Sequence, residues 1–542
     1  MRINATLGVA MSCTTAVLAL SACSGGTDRS SSAPPATVHL TTSVDAPKGE
    51  VASITWNLGN GEPTTIDPAQ STLDSVSTVV GNLCEGLMTF GAGYKIQPAL
   101  AEKVTQPDDT TYVFDLRPDA TFWDGNPVTP EDVIFSIQRT LADATASSWA
   151  TAFSNLDSIA ATGPHQVTLK FKSPTAMFRW YQATPATAVV EKAYAENAGN
   201  TFGTATGGIM CTGPYKLASW RSGEDLTISR NDNYWGDEPL VKQVKFTFDT
   251  DAASRTAALL NGDVDGSFST PVASARRLLN TQQGSLMFGE SLSPVFISTF
   301  VNDPAITMAP VRSALHKLID YQGIANSVYG GAALPIKSLT PPATWGYAEN
   351  VFQRAYDALP NASQDLAGAR SEVHAAGDVP PMTFAYDNSN AEESKVALSI
   401  QSSAKEVGLD IELRSLAPND YFKIFYDPKA REGLSGYVLT GYLDFPEPLE
   451  YDEYSTTGSY YNYTEYDNPA YDKLIKRAEG TLDDTRRAEL ATRAEALAAA
   501  DGYNVPLVSP YLNVFVNKRL TGLVPEQRFL YTPWAASLGA AE

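Results

Sequence analysis

Residues 436–463 read GYVLTGYLDFPEPLEYDEYSTTGSYYNY and combine a strand, a carboxylate and a dense group of tyrosines. The run 437–443 predicts a strand that delivers Asp444 at its end, and Pro446 and Pro448 then break the strand because neither can donate to a ladder. A carboxylate at a strand end beside aromatic faces suits the capture of a cation such as an amino group. A solvated Asp in a turn followed by surface tyrosines explains the same residues, because Asp and Pro are common in turns. The tyrosines are Tyr451, Tyr454, Tyr460, Tyr461 and Tyr463.

The same stretch resembles the late signature of family 5 solute-binding proteins, the dipeptide- and oligopeptide-binding subunits of ABC importers. The similarity lies in YLDFPEP at 442–448, NY at 462–463 and YDNPAYDKLI at 466–475. The resemblance implies that Asp444 pairs with the free amino group of a bound peptide. The family often has Trp three residues before this Asp, where this chain has Gly441, so the first subsite is less well defined than the Asp.

The most specific further motif is YVFDLRPDATFWDGNPVTPEDV at 112–133, which closely resembles the family's hallmark. Its aromatic and aliphatic residues alternate from Tyr112, which predicts a strand with one buried face. Thr129 is a good N-cap and Pro130 suits the first helical position, so we interpret the motif as structural. Other motifs in the family's order are DP at 67–68, EGL at 85–87, TGPY at 212–215, NDNYW at 231–235 and PVRSALHKLID at 310–320.

The resemblance implies an α/β, bilobal periplasmic-binding-protein fold with two mixed-sheet lobes, a two-stranded hinge near Ser298 and Pro506, and an extra inserted domain. A strand, helix, strand order around 244–265 independently favours an α/β lobe. We expect the first lobe at 50–89, 207–298 and 507–542, the inserted subdomain at 90–206 and the second lobe at 299–506. Pattern also predicts strands at 51–58, 166–172, 382–386, 409–413 and 506–516, and helices at 74–87, 252–261, 392–407, 469–478 and 484–500.

Residues 1–22 are predicted to be a signal peptide, with Arg2 preceding a short, mildly apolar run. LSAC at 20–23 resembles a bacterial lipobox, which implies that Cys23 becomes the lipidated N-terminus. A conventionally cleaved signal with a chance Cys is the alternative. We expect the lipidated Cys23 and a flexible, Ser-, Thr-, Ala- and Pro-rich tether to occupy residues 23–49.

The chain has four cysteines. Cys13 would leave with the signal and Cys23 would take lipid, which leaves Cys84 and Cys211 in a compartment that permits disulfides. We predict that these two pair, and two buried thiols are the alternative.

The composition of the 542 residues is acidic, with 39 Lys and Arg against 61 Asp and Glu. This balance disfavours binding to nucleic acid and to anionic lipid. The four His lie in unrelated contexts, and no nucleophile elbow, zinc-protease motif or Cys-x-x-Cys is found. We therefore expect no catalytic activity, cofactor or metal, although a pair of catalytic carboxylates could hide among so many acids.

The resemblance implies an extracytoplasmic lipoprotein, held at the outer face of the bacterial cell membrane, that acts as a monomer and delivers short peptides to an ABC permease and ATPase. Main-chain groups near Thr440 and Tyr442 would bond the peptide backbone by strand addition. Thr72, Leu73 and Asp74 would lie extended on its other side; a plain loop leading into a helix explains these three equally well. Arg431 is a candidate partner for the peptide carboxylate, with a plain surface Arg as the alternative. Other cargo on the same fold (an oligosaccharide, a nickel chelate or haem) and a secreted hydrolase are the rival interpretations.

Overall fold

The computed structural model describes residues 38–542. These residues build three main sheets, of seven, six and four strands, together with two two-stranded ladders. The predicted signal peptide, Cys23 and the first part of the predicted tether lie outside the described residues.

The strands carry numbers in chain order. They are β1 Ile54–Asn57, β2 Met88–Phe90, β3 Ile96–Pro98, β4 Ala101–Asp108, β5 Thr111–Leu116, β6 Leu156–Gly163, β7 Gln166–Phe171, β8 Tyr215–Arg221, β9 Asp225–Arg230, β10 Gln243–Thr247, β11 Gly266–Phe268, β12 Gly284–Gly289, β13 Val295–Thr299, β14 Ala333–Pro335, β15 Met382–Asp387, β16 Ile411–Leu416, β17 Gly436–Thr440, β18 Asn504–Pro510, β19 Leu512–Asn517, β20 Leu520–Thr521 and β21 Gly539–Ala540.

The α-helices are numbered in the same way. They are α1 Asp74–Leu83, α2 Pro130–Leu141, α3 Phe178–Tyr181, α4 Lys192–Ala198, α5 Ala252–Asn261, α6 Ala275–Leu279, α7 Ala309–Leu318, α8 Tyr321–Ser327, α9 Glu349–Ala358, α10 Leu366–Ala376, α11 Ala391–Val407, α12 Pro418–Tyr426, α13 Leu449–Asp452, α14 Pro469–Glu479 and α15 Asp484–Asp501.

The seven-stranded sheet is the centre of what we call the first lobe, in the order β12-β19-β11-β1-β10-β9-β8. Strand β1 runs parallel to β10 and β11, whereas the remaining neighbours pair in antiparallel fashion. Trp56 of β1 is fully buried, and its ring lies 4.4 Å from that of Trp534 and 5.0 Å from that of Phe268. The C-terminal segment is therefore part of the core of the first lobe.

The four-stranded antiparallel sheet, in the order β4-β5-β7-β6, forms what we call the inserted domain. Tyr112, Phe114 and Leu116 are buried on one face of β5, as their alternation predicts. The Thr129 side chain accepts a hydrogen bond from the N–H of Asp132, and the Asp132 carboxylate accepts one from the N–H of Thr129. This reciprocal cap stabilises the start of α2 at Pro130 and confirms the structural interpretation of the motif.

The six-stranded sheet forms the second lobe, in the order β14-β18-β13-β17-β15-β16. Strand β15 is parallel to β16 and β17, and the other pairs are antiparallel. Val311, Leu315 and Leu318 form the fully buried stripe of α7, as predicted from their spacing. Two mixed sheets with helices packed against them confirm the predicted α/β fold class.

The chain crosses between the seven-stranded and six-stranded sheets at residues 290–294, between β12 and β13, and again at Tyr511, between β18 and β19. Ser298 and Pro506 lie inside β13 and β18, which are paired neighbours in the second lobe. The predicted hinge positions are therefore displaced by several residues, because both strands stay paired almost up to the crossings. For the same reason, the single strand predicted at 506–516 is two strands, one in each lobe.

Two other predicted boundaries are wrong. Helix α1 ends at Leu83, short of residue 87, because Cys84 already has an extended backbone, with φ −122° and ψ 136°. The last part of the predicted tether is held to the first lobe, since Leu40 bridges to Phe288 and the N–H of Lys48 donates to the backbone of β21 at 2.9 Å. The other predicted elements lie within three residues of the observed bounds.

Cys84 and Cys211 form a disulfide, with their Cα atoms 5.0 Å apart and a sequence separation of 127 residues. The bond confirms the predicted pairing and excludes two free thiols at these positions. Within residues 38–542, no helix combines the length and the apolar character that a membrane crossing needs.

Candidate functional site

A cavity of about 1160 Å³, which we call the cleft, lies where the two lobes and the inserted domain meet. The second lobe contributes most of its wall, above all from residues 437–464. The inserted domain adds residues between 148 and 181, and Thr72 comes from the first lobe. Residues 437–464, with Asp444 and the tyrosines, therefore line a large cavity between the lobes.

Asp444 lies four residues beyond β17 and lines the cleft from a half-buried position. Its carboxylate accepts a hydrogen bond from the hydroxyl of Tyr531, which belongs to the first lobe. Its backbone N–H donates to both carboxyl oxygens of Glu450, at 3.0 and 3.1 Å. Asp444 is thus a half-buried carboxylate that hydrogen bonds hold between the lobes.

Asp444 and Glu450 form a coupled pair of carboxyl groups. Burial and then the charge of Asp444 raise the pKa of Glu450 well above its usual range. Burial also raises the pKa of Asp444, while hydrogen bonds from Tyr531 and Glu450 oppose that rise. We infer that Glu450 is protonated and that its carboxyl group donates a hydrogen bond to an ionised Asp444. The pair then presents one negative charge to the cleft.

Two further carboxyl groups lie near this pair, and burial favours the protonated form of both. Burial and then the charge of Asp444 raise the pKa of Asp74, and burial followed by the charge of Glu479 raises the pKa of Glu453 to about 8. The cleft is lined by four carboxyl groups but by a single Lys or Arg, which is Lys476. Such a surface favours a ligand that brings positive charge.

All five tyrosines of the sequence motif line the cleft. The rings of Tyr454 and Tyr461 lie 4.6 Å apart, and Tyr451 lies 5.6 Å from Tyr454. Tyr460 is 70% exposed, with its ring 5.3 Å from that of Tyr461. The tyrosines therefore form one continuous aromatic wall next to the acidic group, rather than separate surface contacts.

Just beyond β17, one backbone N–H group is free to bind a ligand. Gly441 donates its N–H to Pro294 at 2.9 Å, so its neighbours Thr440 and Tyr442 face the other side of the strand. The N–H of Thr440 is already bound by Glu393, at 2.9 Å. Within residues 38–542 the N–H of Tyr442 has no backbone acceptor. Of the two predicted backbone positions, only Tyr442 presents a free donor.

Of the three residues predicted to contact the peptide from the first lobe, only Thr72 lines the cleft. Thr72 lines the cleft, and its carbonyl oxygen lies 3.4 Å from the Tyr442 hydroxyl that donates to it. Leu73 is extended and 53% exposed but is not part of the cleft wall. Asp74 is the first residue of α1, so the expectation that it is extended is wrong.

Gly441 lies where the structure has no room for a side chain. A Cβ atom at this position would collide with the hydroxyl of Tyr451 and would lie 3.2 Å from the ring of Phe296. Those two rings pack edge to face, 5.8 Å apart. Tyr451 therefore fills the space that a side chain at 441 would take.

Arg431 does not line the cleft. Its Nε donates to the carbonyl of Ile424 at 2.8 Å, its guanidinium lies 5.8 Å from the ring of Tyr463, and a terminal nitrogen is 3.9 Å from Glu465. The guanidinium is therefore engaged behind the aromatic wall. Lys476, which the sequence analysis did not single out, is the cation that faces the cleft.

Glu447, between the two prolines, holds the site loop in place. It is fully buried and accepts hydrogen bonds from the hydroxyl of Tyr347, at 2.5 Å, and from the indole of Trp180, at 3.2 Å. The Nε of the buried Arg487 lies 3.4 Å from it. Breaking these contacts would leave a buried carboxylate without its partners, which is costly, so they stabilise the loop that carries Asp444.

Sequence reasoning did not identify Glu450, Tyr531 or Lys476. Glu450 could have been noticed from its place six residues after Asp444 in an acid-rich run. Tyr531 is 87 residues away from Asp444 in the chain, and no local pattern marks it. Among residues 38–542, no group of His, Cys, Asp and Glu has an arrangement that could hold a metal ion.

A family model described as bacterial extracellular solute-binding proteins, family 5, matches residues 95–463. The chain is 26% identical over 479 residues to the probable D,D-dipeptide-binding periplasmic protein DdpA of Escherichia coli, which covers 85% of this chain and 90% of that protein. It is also 26% identical over 507 residues to the periplasmic oligopeptide-binding protein OppA of Salmonella typhimurium, covering 88% and 91% of the two chains.

Among solved structures, the ABC transporter substrate-binding protein CtaP of Listeria monocytogenes superposes with a TM-score of 0.80 at 21% identity. The superposition covers 91% of this chain and all of that one, so the fold is shared along nearly the whole length. The family model spans more than half of the sequence. The chain belongs to the bacterial extracellular solute-binding proteins of family 5.

Proposed function

We propose that this protein captures short peptides in the cleft and delivers them to the permease and ATPase of an ABC importer. The observation that carries the proposal is the Asp444 carboxylate, which faces the cleft with Tyr531 and Glu450 fixed around it. The cleft volume of about 1160 Å³ lies above the usual range for small-molecule pockets, roughly 300–1,000 Å³. Peptide-binding names among the relatives support the same cargo.

The free amino group of the peptide pairs with Asp444 in this proposal. An ammonium group brings three donors and one positive charge, which matches the single negative charge of the Asp444 and Glu450 pair. Because Asp444 is half-buried, it is partly shielded from water, and its pair with an ammonium group is stronger there than at an exposed surface. Closure of the lobes, a hinge movement about the two crossings, completes the shielding.

Strand addition holds the peptide backbone along the open edge at Tyr442. Its N–H supplies a donor, and the carbonyl of Thr440 supplies an acceptor, because the N–H of Thr440 belongs to Glu393. Thr72 and Leu73 lie on the first-lobe side. Contacts of this type use main-chain groups of the peptide, so they give affinity with little dependence on its sequence.

Lys476 takes the place that Arg431 had in the sequence-based expectation and pairs with the peptide carboxylate. It is exposed and lines the cleft, whereas the Arg431 guanidinium is turned to Ile424 and Tyr463. A lysine on a flexible stem can follow carboxylates of peptides that differ in length.

Family 5 proteins work outside the cytoplasm. We place this one at the outer face of the cell membrane as a monomer anchored through lipid on Cys23, because the LSAC run at 20–23 resembles a lipobox. The protein binds and releases its cargo without changing it, so no catalytic residue is assigned.

Isothermal titration calorimetry with tetra-alanine in free, N-acetylated and C-amidated forms tests the proposal. We expect the free peptide to bind and N-acetylation to raise Kd by about two decades or more, since it removes the charge that Asp444 binds. C-amidation has a smaller effect, because Lys476 is exposed. Equal affinity for the free and acetylated peptides would contradict the role of Asp444, and absence of any peptide binding would contradict the cargo.

A further inference from the structure

A second cavity, of about 80 Å³, lies in the second lobe beside the cleft; we call it the side chamber. Leu339, Tyr451, Ser455 and Asn504 line both cavities, so the two cavities are neighbours.

The side chamber contains two carboxyl groups. Asp452, on α13, is 7% exposed, and its Oδ2 atom has no hydrogen-bond partner among residues 38–542. Glu495, on α15, accepts a hydrogen bond from the hydroxyl of Thr340. Burial and then the charge of Glu495 raise the pKa of Asp452 well above its usual range, and burial raises that of Glu495 to about 7. A buried acceptor without a partner is costly, and Asp452 is among the residues that line the side chamber.

No cation of the described chain neutralises these groups. Lys337 also lines the side chamber, but its Nζ contacts the carbonyl oxygens of Tyr356 and Leu359, at 3.4 and 3.5 Å. His316 places Nε2 3.3 Å from the carbonyl of Gly502, and burial lowers its pKa, so it is neutral. Asp452 and Glu495 therefore line the side chamber without a cationic partner among residues 38–542.

We propose that the side chamber binds the ammonium group of a basic side chain, such as lysine, in the peptide held by the cleft. Asp452 and Glu495 are its carboxylate partners, with the hydroxyls of Ser455 and Thr340 nearby as neutral acceptors. A volume of about 80 Å³ exceeds the roughly 10–15 Å³ that one water needs, so it admits an ammonium group with the methylenes next to it. The inference rests on the proposed function and adds a side-chain preference to it.

The test is calorimetry on the mature protein with tetra-alanine and with four peptides that carry one lysine, each at a different position. Each lysine peptide has a counterpart with norleucine, which has a similar unbranched stem but no charge. We expect lysine to bind at least about tenfold more tightly than norleucine at one position, as for a hydrogen-bonded charged group. The readout is the ratio of the affinities for the lysine peptide and its norleucine counterpart. A substitution that weakens the binding of both peptides equally leaves this ratio unchanged.

Asp452→Asn and Glu495→Gln should each lower that ratio to less than about threefold, since each removes one carboxylate from the ammonium site. Glu489→Gln is the matched control, because Glu489 lies on the exposed face of α15 in an ion pair with Arg486; it should leave the ratio unchanged. If tetra-alanine binds but no position favours lysine, or if the preference survives in both variants, the inference is overturned and the proposed function stands. If none of the peptides binds, the proposed function fails as well.

Discussion

Replacing Asp444 by Asn removes the charge that we assign to the peptide amino group while keeping the size of the side chain. Asp444 lies between Tyr531 and Glu450, so the substitution leaves a neighbouring carboxyl group in place. Removing one partner of a buried charge pair costs about 3–5 kcal/mol. Because Glu450 can take over part of the charge, we expect the lower end, about 3 kcal/mol, which raises Kd about 150-fold.

The assay is calorimetric titration of tetra-alanine into the wild type, Asp444→Asn and the double variant Asp444→Asn/Glu450→Gln. The double variant should lose about 5 kcal/mol, because no carboxylate is then left to compensate. Asp410→Asn is the matched control, since Asp410 is exposed in the second lobe and does not line the cleft. Burial raises the pKa of Asp444, so its neutral replacement should not destabilise the unliganded protein, and a thermal melt checks this.

Two outcomes would refute the reasoning about Asp444. Wild-type affinity in Asp444→Asn would show that the amino group binds elsewhere. An equal loss of affinity for free and N-acetylated tetra-alanine would show that the substitution damages the cleft in general, without removing a specific charge pair.

Three further changes test the surroundings of the site. Gly441→Ala should destabilise the protein by about 1–3 kcal/mol in denaturant titrations, because its Cβ collides with the Tyr451 hydroxyl; adding Tyr451→Phe should recover most of the loss, and a double variant without recovery would contradict the clash. Cys84→Ser/Cys211→Ser should lower the free energy of unfolding by about 2–5 kcal/mol, since the bond closes a long loop; an unchanged value would count against the pairing. Burial raises the pKa of Glu393 to about 7, so the folded state keeps a proton that the unfolded state loses above pH 4.5. Stability should therefore fall between about pH 4.5 and 7 by up to about 1.4 kcal/mol per pH unit for this group, and Glu393→Gln should flatten that slope; identical slopes would exclude the raised pKa.

The parts of the fold that depend on local patterns could be predicted from the sequence. The buried face of β5 follows from alternation, and the start of α2 from Thr129 and Pro130. The crossings between the lobes could not be placed from local patterns, because strand pairing across the second lobe decides where Ser298 and Pro506 lie. A strand pattern does not show which sheet the strand joins.

In the candidate site, residues from one local stretch could be predicted, whereas contacts between distant parts of the chain could not. Asp444 and the tyrosines follow from one contiguous stretch, so the sequence identifies them together. Tyr531 reaches Asp444 only because the C-terminal segment packs into the first lobe. The expectation for Arg431 came from the family resemblance, and its contacts with Ile424 and Glu465 depend on packing that the resemblance does not reveal.

Native mass spectrometry of the protein as purified from its own cells tests the central claim most directly. Denaturation after the native measurement releases whatever the cleft holds. We predict a heterogeneous set of short peptides with free amino termini, bound one to each protein molecule and absent from Asp444→Asn/Glu450→Gln. A single non-peptide mass, a metal chelate or haem released from the wild type would contradict the peptide cargo and the role of Asp444, while leaving the fold and family unchanged.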